Sequence, residues 1–204
     1  MDTILNKIEC RVLGSLAEKE LATPESYPLT LNALLLACNQ KSNRHPMMNL
    51  EESEVVQALD SLKRKHLVLT AFGRGRVPKY RHLFYEKMKF EPAEQAVIAE
   101  LLVRGPQTVG ELKGRAERMA EVDDLDAIET LLDELAERGL IIKLPLWQGM
   151  KEQRYAHLFS GEPVISEEDI LSSPKHARLQ VAENERLSTL EEEFRLLRVE
   201  VVEL

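Results

Sequence analysis

The sequence predicts a mainly α-helical α+β protein in which a unit of three helices and one two-stranded β-hairpin occurs twice. The hexapeptide KYRHLF at residues 79–84 returns as RYAHLF at residues 154–159. Upstream of each hexapeptide, the same kinds of segment follow in the same order, with their apolar residues in the same phase. Because the order of the segments, the phase of their apolar residues and their helix caps agree, a duplication explains the repeated hexapeptide better than chance does.

The first and second helices of each copy have clear sequence signals. Apolar residues at helical spacing predict a first helix over residues 4–16 and another over residues 93–103, where Pro92 suits the first helical position. The second helix opens at Thr30 in TLNAL and at Thr108 in TVGEL, where the second motif has the spacing of a capping box. Each copy therefore begins with two helices.

The third helix of each copy carries the main apolar stripe. Its members are Val55, Val56, Leu59, Leu62 and Leu67 in the first copy and Ile128, Leu131, Leu132, Leu135 and Leu140 in the second. We expect Asn49, with Glu52 three residues later, to cap the first of these helices. Asp123 or Asp124 is expected to cap the second.

A short hairpin closes each copy, with HLVLTAF from His66 and GLIIKLPLW from Gly139 as its leading strands. Three helices followed by a hairpin within about 80 residues is the pattern of a winged helix, whose third helix can enter the major groove of DNA. A fold does not fix a function, so a compact interaction module remains the alternative. We predict winged-helix (helix-turn-helix) domains at residues 1–90 and 91–162, then a linker and C-terminal helix at residues 163–204.

Two motifs point to a known family. The run YPLTLNALLLACNQKSNRHPM at residues 27–47, together with FGRGRVPKYRH at residues 72–82, resembles the YceH family of uncharacterised bacterial tandem winged-helix proteins. The resemblance covers nearly the whole chain, and CNQKSNR is its most distinctive part. It implies two winged-helix domains and a C-terminal helical extension.

Composition limits the class of protein. The chain has 204 residues, of which 44% are hydrophobic, so it can bury a sizeable core. It has no run of about 18 apolar residues, and its start, MDTILNKIEC, lacks the features of a signal peptide. We therefore expect a cytoplasmic protein without a membrane span, in which Cys10 and Cys38 are buried and reduced.

Charge is divided unevenly along the chain. Residues 1–90 hold 14 Lys and Arg against 10 Asp and Glu, whereas residues 91–204 hold 13 against 25. A polyanion should therefore meet the first half, although the whole chain has a formal net charge of −8.

The first domain holds the candidate nucleic-acid contacts. The predicted hairpin tip presents Arg74, Arg76 and Lys79, which could reach phosphates or a narrow minor groove. The cations Lys63, Arg64 and Lys65 close the third helix, where basic residues also suit a helix C-terminus.

The polar run before the third helix supplies the remaining candidates, Lys41, Asn43 and Arg44. Such groups could bond phosphates or base edges. Alternatively, Asn and Ser side chains of this run cap the helix end and the loop.

The third helices themselves do not favour groove binding. In the first domain this helix opens with three Glu residues, and in the second it carries seven acids: Asp123, Asp124, Asp126, Glu129, Asp133, Glu134 and Glu137. Carboxylates repel phosphate, so the first domain is expected to bind DNA mainly through the backbone. The second domain, whose hairpin tip is apolar, is expected to bind protein instead.

The tail shows a heptad pattern, with apolar residues at alternating steps of three and four. They are Leu187, Leu190, Phe194, Leu197, Val201 and Leu204. The seam is short, so the tail either forms a coiled-coil homodimer, which we prefer, or packs back on its own chain.

No enzyme signature appears: the sequence has no phosphate loop, no HExxH motif and no local nucleophile motif. We expect neither catalysis nor a metal or cofactor. His82 and His157 recur in the repeated strands and are expected to make structural hydrogen bonds. The leading hypothesis is a non-enzymatic DNA-binding protein with a transcriptional or chromosome-associated role, and the alternative is a protein-interaction scaffold.

Overall fold

The computed structural model describes residues 4–72, 77–146 and 150–163. In chain order these residues form α1 (Lys7–Ala22), a 3-10 turn (Pro24–Ser26), β1 (Leu29–Thr30), α2 (Leu31–Cys38), α3 (Glu52–Arg64), β2 (Val68–Phe72), β3 (Pro78–His82), α4 (Phe84–Met88), α5 (Pro92–Arg104), α6 (Val109–Ala116), α7 (Leu125–Glu137), β4 (Ile141–Lys143) and β5 (Tyr155–His157). The predicted mainly α, α+β class is confirmed. The predicted C-terminal helix, including the heptad positions from Leu187 to Leu204, lies outside the described residues.

The two sheets support the duplication through their register. In the first copy, α1 to β3, the sheet order is β1-β3-β2, and Val68 pairs antiparallel with His82. In the second copy, α5 to β5, Ile141 pairs with His157 in the same way. The short strand β1, which the sequence did not predict, has only an isolated bridge as its counterpart in the second copy.

The helix ends repeat as well. Thr30 and Thr108 are the N-caps of α2 and α6, and each hydroxyl accepts a backbone N–H at 3.3 Å. Each third helix and its cap residue are followed by a left-handed residue, which is His66 (φ 56°) in the first copy and Gly139 (φ 67°) in the second. Corresponding positions of the two copies therefore adopt the same left-handed backbone conformation with different residues.

One of the two predictions for the third-helix caps is confirmed. The Asp124 carboxylate accepts the N–H of Ala127 at 2.8 Å, as expected of an N-cap. The predicted cap at Asn49 is wrong, because α3 begins later, after Glu51. There the N–H of Glu51 donates to the Glu54 carboxylate at 2.8 Å, so this acidic pair closes the helix start instead.

The hexapeptide that revealed the repeat is only partly strand. Strands β3 and β5 end at the histidine of each hexapeptide, and the final residues, Phe84 and Phe159, leave the sheets. Their rings meet edge to face, with centroids 5.1 Å apart. The N–H of Leu5 also donates to the Phe159 carbonyl at 2.7 Å, so the end of the second copy meets the start of the first.

The first helices of the two copies, α1 and α5, pack directly against each other. A Cβ atom at Gly14 would lie 2.7 Å from the Leu102 Cβ, so glycine is what permits this approach. The described residues form one compact unit with a hydrophobic core drawn from both copies. The division into domains at residues 1–90 and 91–162 stays a prediction.

Within the described ranges, no helix is both long and apolar enough to span a membrane.

Candidate nucleic-acid interface

Lys65, at the end of α3, has a structural partner. Its Nζ lies 2.7 and 2.8 Å from the two carboxylate oxygens of Glu9, whose side chain is only 2% exposed. Burial raises the pKa of Glu9, but the hydrogen bonds that the carboxylate accepts, above all from Lys65, lower the pKa by more than burial raises it. The pKa of Glu9 therefore lies below its usual value. In the second copy Arg138 pairs with Glu94 in the equivalent place. The structure thus gives Lys65 an internal ion pair, and its phosphate contact stays a prediction.

The other two cations of this helix end are more accessible. Lys63 Nζ lies 3.3 Å from the Asp60 carboxylate and 5.1 Å from the centroid of the Tyr80 ring. Both contacts are weak at a partly exposed site, so the ammonium group can still bind a phosphate. Arg64 is exposed and forms no ion pair with any residue in the described ranges. Arg64 is therefore the cation of this group that is best placed to meet a polyanion.

The central strand β3 presents two cations on one face. Side chains alternate along a strand, so Lys79 and Arg81 project opposite to Tyr80 and the buried His82. Arg81 pairs with Glu86, whereas Lys79 has no carboxylate partner among the described residues. Arg74 and Arg76, predicted for the hairpin tip, lie outside the described residues.

Arg44 is a buried anchor, contrary to its predicted role in phosphate contact. Its side chain is 0% exposed, and it donates to both carboxylate oxygens of Glu18, at 3.0 and 2.5 Å. It also donates to the carbonyls of Ala37 and Asn43, at 2.9 and 2.8 Å. With these partners inside the fold, the guanidinium is not available to a ligand.

The rest of the polar run divides between structural and exposed residues. The Asn39 amide and the Leu50 backbone exchange two hydrogen bonds, at 2.9 and 2.8 Å, so Asn39 closes the loop, as the alternative interpretation expected. Lys41 and Asn43 are exposed. The structure therefore keeps Lys41 and Asn43 as candidates, and it does not bring them into contact with Lys63, Arg64 or Lys79.

The second copy presents acid where the first presents base. On α7 the exposed carboxylates of Asp126, Glu129, Asp133 and Glu137 follow one another at helical spacing. None of them forms an ion pair with another residue of the described chain. This face repels a polyanion and attracts a cationic partner.

The recurring histidines differ in their surroundings. His82 makes the predicted structural contacts: Nε2 lies 2.6 Å from the Glu20 carboxylate, and Nδ1 accepts the N–H of Phe84 at 3.1 Å. His157 has a buried Nδ1 with no hydrogen-bond partner in the described part of the chain. Burial lowers the pKa of His157 to about 4, so the ring is neutral at pH 7.

The cysteines are buried and free, as predicted. Burial raises the pKa of Cys10 to about 12 and that of Cys38 to about 11. Both thiols are therefore protonated near pH 7, and neither has the character of a nucleophile. Among residues 4–72, 77–146 and 150–163, no three His, Cys, Asp or Glu side chains group as metal ligands would.

Two residues that sequence reasoning did not select turn out to organise this region. Arg11 is buried and donates to the carbonyls of Cys38 and Pro46, at 3.1 and 2.6 Å, while Glu18 holds Arg44. Both belong to α1, and both are charged residues on a helix that is otherwise packed in the core. A charge within an apolar helical stripe was the available signal, because such a charge needs a partner in the interior.

Comparison with known proteins places the chain in a family. Residues 5–150 match the family described as "Protein of unknown function, DUF480". A UPF0502 protein of Geobacter sulfurreducens is 60% identical over 200 residues, covering 97% of this chain and 91% of the relative. A UPF0502 protein of Geotalea daltonii is 60% identical over 196 residues (95% and 89%), and one of Solibacter usitatus is 47% identical over 193 residues (95% and 92%). The resemblance seen in the sequence motifs is thereby confirmed, and the chain belongs to the DUF480/UPF0502 family of bacterial proteins.

Proposed function

We propose that this protein is a non-enzymatic nucleic-acid-binding protein whose first copy contacts the DNA backbone. Each copy has the element order of a winged helix, which supports a role at DNA without fixing one. Arg64, Lys63, Lys79 and Lys41 are the proposed contacts, and Asn43 is a neutral donor in the loop that carries Lys41.

The observation that carries this proposal is the difference between equivalent positions of the two copies. Lys65 and Arg138 correspond to each other, because each pairs with a glutamate at the third position of the first helix of its copy. The same alignment of the two copies places Lys63 opposite Ala136 and Arg64 opposite Glu137. A cation needed for folding is kept in both copies, whereas Lys63 and Arg64 are not. Arg64 is exposed without an ion pair in the described ranges, so its charge is available to a partner.

The test is a titration of duplex DNA at two salt concentrations. Three to five phosphate contacts predict a log–log salt slope of roughly −3 to −5. Changing Arg64 to Ala should weaken binding and reduce the slope by about 1. Lys151→Ala removes an exposed cation from the second copy and is the matched control, which should leave both quantities unchanged. Absence of binding at low salt would contradict the proposal, as would an equal loss in the control.

A second candidate function is favoured by the acidic face of α7. Its exposed carboxylates have no ion-pair partner within the described ranges, and Leu125, at the start of the helix, is 50% exposed. An acidic helix face beside an exposed apolar residue suits a basic protein partner. A pull-down from nuclease-treated extract separates the two functions: partners that disappear with nuclease favour DNA, and partners that persist and require the α7 carboxylates favour the interaction scaffold.

A further inference from the structure

The connection between the second and third helices is longer in the first copy than in the second. It spans residues 39–51 in the first copy and residues 117–124 in the second. The longer loop is tied down at several points along its length. Asn39 and Leu50 close its base, Arg11 holds the Pro46 carbonyl at 2.6 Å, and the N–H of His45 donates to the Val103 carbonyl at 3.0 Å.

The strongest tie is the buried pair of Arg44 and Glu18. A buried ion pair often contributes no more stability than an apolar pair of the same volume would, because both charges lose their hydration. The bidentate geometry fixes the orientation of the Arg44 side chain, because the planar guanidinium fits the carboxylate in one orientation. The pair therefore holds the backbone at residue 44 in one place, directly after the exposed part of the loop.

The exposed part of this loop carries hydrogen-bond donors and no carboxylate. The side chains of Lys41, Ser42 and Asn43 are exposed, and no Asp or Glu occurs between Glu25 and Glu51. In the described structure, no backbone hydrogen bond uses the N–H groups of residues 40–43.

The backbone at this loop also takes a particular shape. Asn43 is left-handed, with φ at 61°, a conformation that asparagine tolerates better than most residues. A left-handed residue can take part in a backbone turn whose successive N–H groups point toward a common anion, and Asn43 supplies such a residue here. The side-chain ammonium, hydroxyl and amide at the same loop add donors of the kind that phosphate oxygens accept.

We infer that residues 40–43 form a preformed phosphate-binding loop. Lys41 supplies the charge, Ser42 and Asn43 supply side-chain donors, and the backbone N–H groups complete the site. The inference rests on the proposed function in one respect, because it names the chemical group of the nucleic acid that this loop holds. A phosphate of a duplex and a free phosphate share this chemistry, so the experiment has an arm for each.

The first arm is an NMR titration of the ¹⁵N-labelled full chain with inorganic phosphate, at constant ionic strength against sodium chloride. The amide signals of residues 40–44 should shift and saturate. Lys41→Ala should weaken the phosphate affinity about three- to tenfold, as expected for the loss of one charge-assisted hydrogen bond. The matched control Lys151→Ala should not change it. Shifts that do not saturate, or that spread evenly over the exposed amides, would overturn the inference.

A pair of variants at Asn43 tests the shape of the loop. Asn43→Gly keeps the left-handed backbone accessible and should retain most of the phosphate affinity. Asn43→Val disfavours that backbone, because a β-branched residue is strained at positive φ, and should abolish the shifts at residues 40–44. Signals of the second copy report that both variants remain folded. Equal affinity in the two variants would show that the backbone shape has no part in binding.

The second arm repeats the titration with duplex DNA and separates this inference from the proposed function. If the duplex binds and the amides of residues 40–44 respond to neither the duplex nor inorganic phosphate, DNA binding stands and the loop inference is wrong. If inorganic phosphate saturates the loop and the duplex does not bind, the DNA proposal fails and the loop inference stands for a free phosphate or phosphate ester. Saturation at the same amides by both ligands supports both.

Discussion

The two copies share one scaffold and differ on their surfaces. Each has an acid at the third position of its first helix, Glu9 or Glu94, paired with a cation that ends its third helix, Lys65 or Arg138. At neighbouring exposed positions the correspondence breaks down, so that Arg64 in the first copy is Glu137 in the second. The duplication therefore works as an internal control. Residues that keep the same contacts in both copies are assigned to folding, and exposed residues that differ between the copies are candidates for function.

The same comparison explains why some basic residues of the first half have partners inside the fold. Lys65 has a basic counterpart in the other copy, and its partner is internal. Arg44 has a buried carboxylate partner and lies in a loop that is shorter in the second copy, so its role is to hold that loop rather than the shared core. Charge counted along the sequence overstates the polyanion-binding capacity of the first half, because part of that charge is neutralised inside the fold.

The largest expected effect comes from breaking the anchor that only the first copy has. Arg44→Ala removes the bidentate partner of the buried Glu18 carboxylate and leaves it only Lys19, 3.7 Å away, so the free energy of unfolding should fall by up to about 3–5 kcal/mol. Lys41→Ala, three residues away and exposed, is the control and should change it by less than about 0.5 kcal/mol. Urea unfolding of both variants measures the difference. Similar values for the two would mean that the buried pair does not hold this loop.

The next effect separates the two recurring histidines. Burial lowers the pKa of His157 from 6.5 to about 4. As pH falls below about 6.5, His157 is protonated in the unfolded chain, whereas in the folded chain it stays neutral down to about pH 4. The free energy of unfolding therefore falls across this pH range, by about 2–3 kcal/mol at its acid end. Urea unfolding at pH 7 and pH 4.5 should show this loss in the native chain and a smaller loss in His157→Leu. An unchanged pH dependence in the variant would contradict the assignment.

A third change tests the contact between corresponding helices of the two copies. Gly14→Ala puts a Cβ atom where Leu102 Cβ lies at 2.7 Å and the Leu102 backbone carbon at 3.3 Å, so α1 and α5 must separate. We expect a loss of about 1–3 kcal/mol. Gly114→Ala is a matched control on α6, where nothing lies within 4 Å of the added Cβ, and should stabilise by about 0.5–1 kcal/mol. Thermal unfolding should therefore move the two midpoints in opposite directions; a midpoint for Gly14→Ala that is equal to or above that of the native chain would contradict a tight α1–α5 contact.

Local signals in the sequence predicted most of the fold. Thr30, Thr108 and Asp124 cap their helices as predicted, because a side chain that caps its own helix acts within three residues. The partners of Arg44 and Lys65 lie 26 and 56 residues away along the chain, and no spacing rule indicates such contacts. The fold therefore followed from local chemistry and repetition, whereas the separation of exposed from buried cations required the tertiary structure.

The smallest effect on stability, and the sharpest test of the comparison, is to give the first copy the residue that the second copy has. Arg64→Glu reproduces Glu137 at an exposed position without an ion pair in the described ranges, and because a carboxylate is disfavoured at a helix C-terminus, the free energy of unfolding should fall by no more than about 1 kcal/mol. Duplex affinity should fall by more than in Arg64→Ala, because a carboxylate repels the phosphates that the arginine attracts. A duplex titration at low salt, with unfolding followed in parallel, measures both quantities. If Arg64→Glu binds the duplex as the native chain does, the surface difference between the copies serves something other than DNA, and the acidic face of α7 becomes the better guide to function.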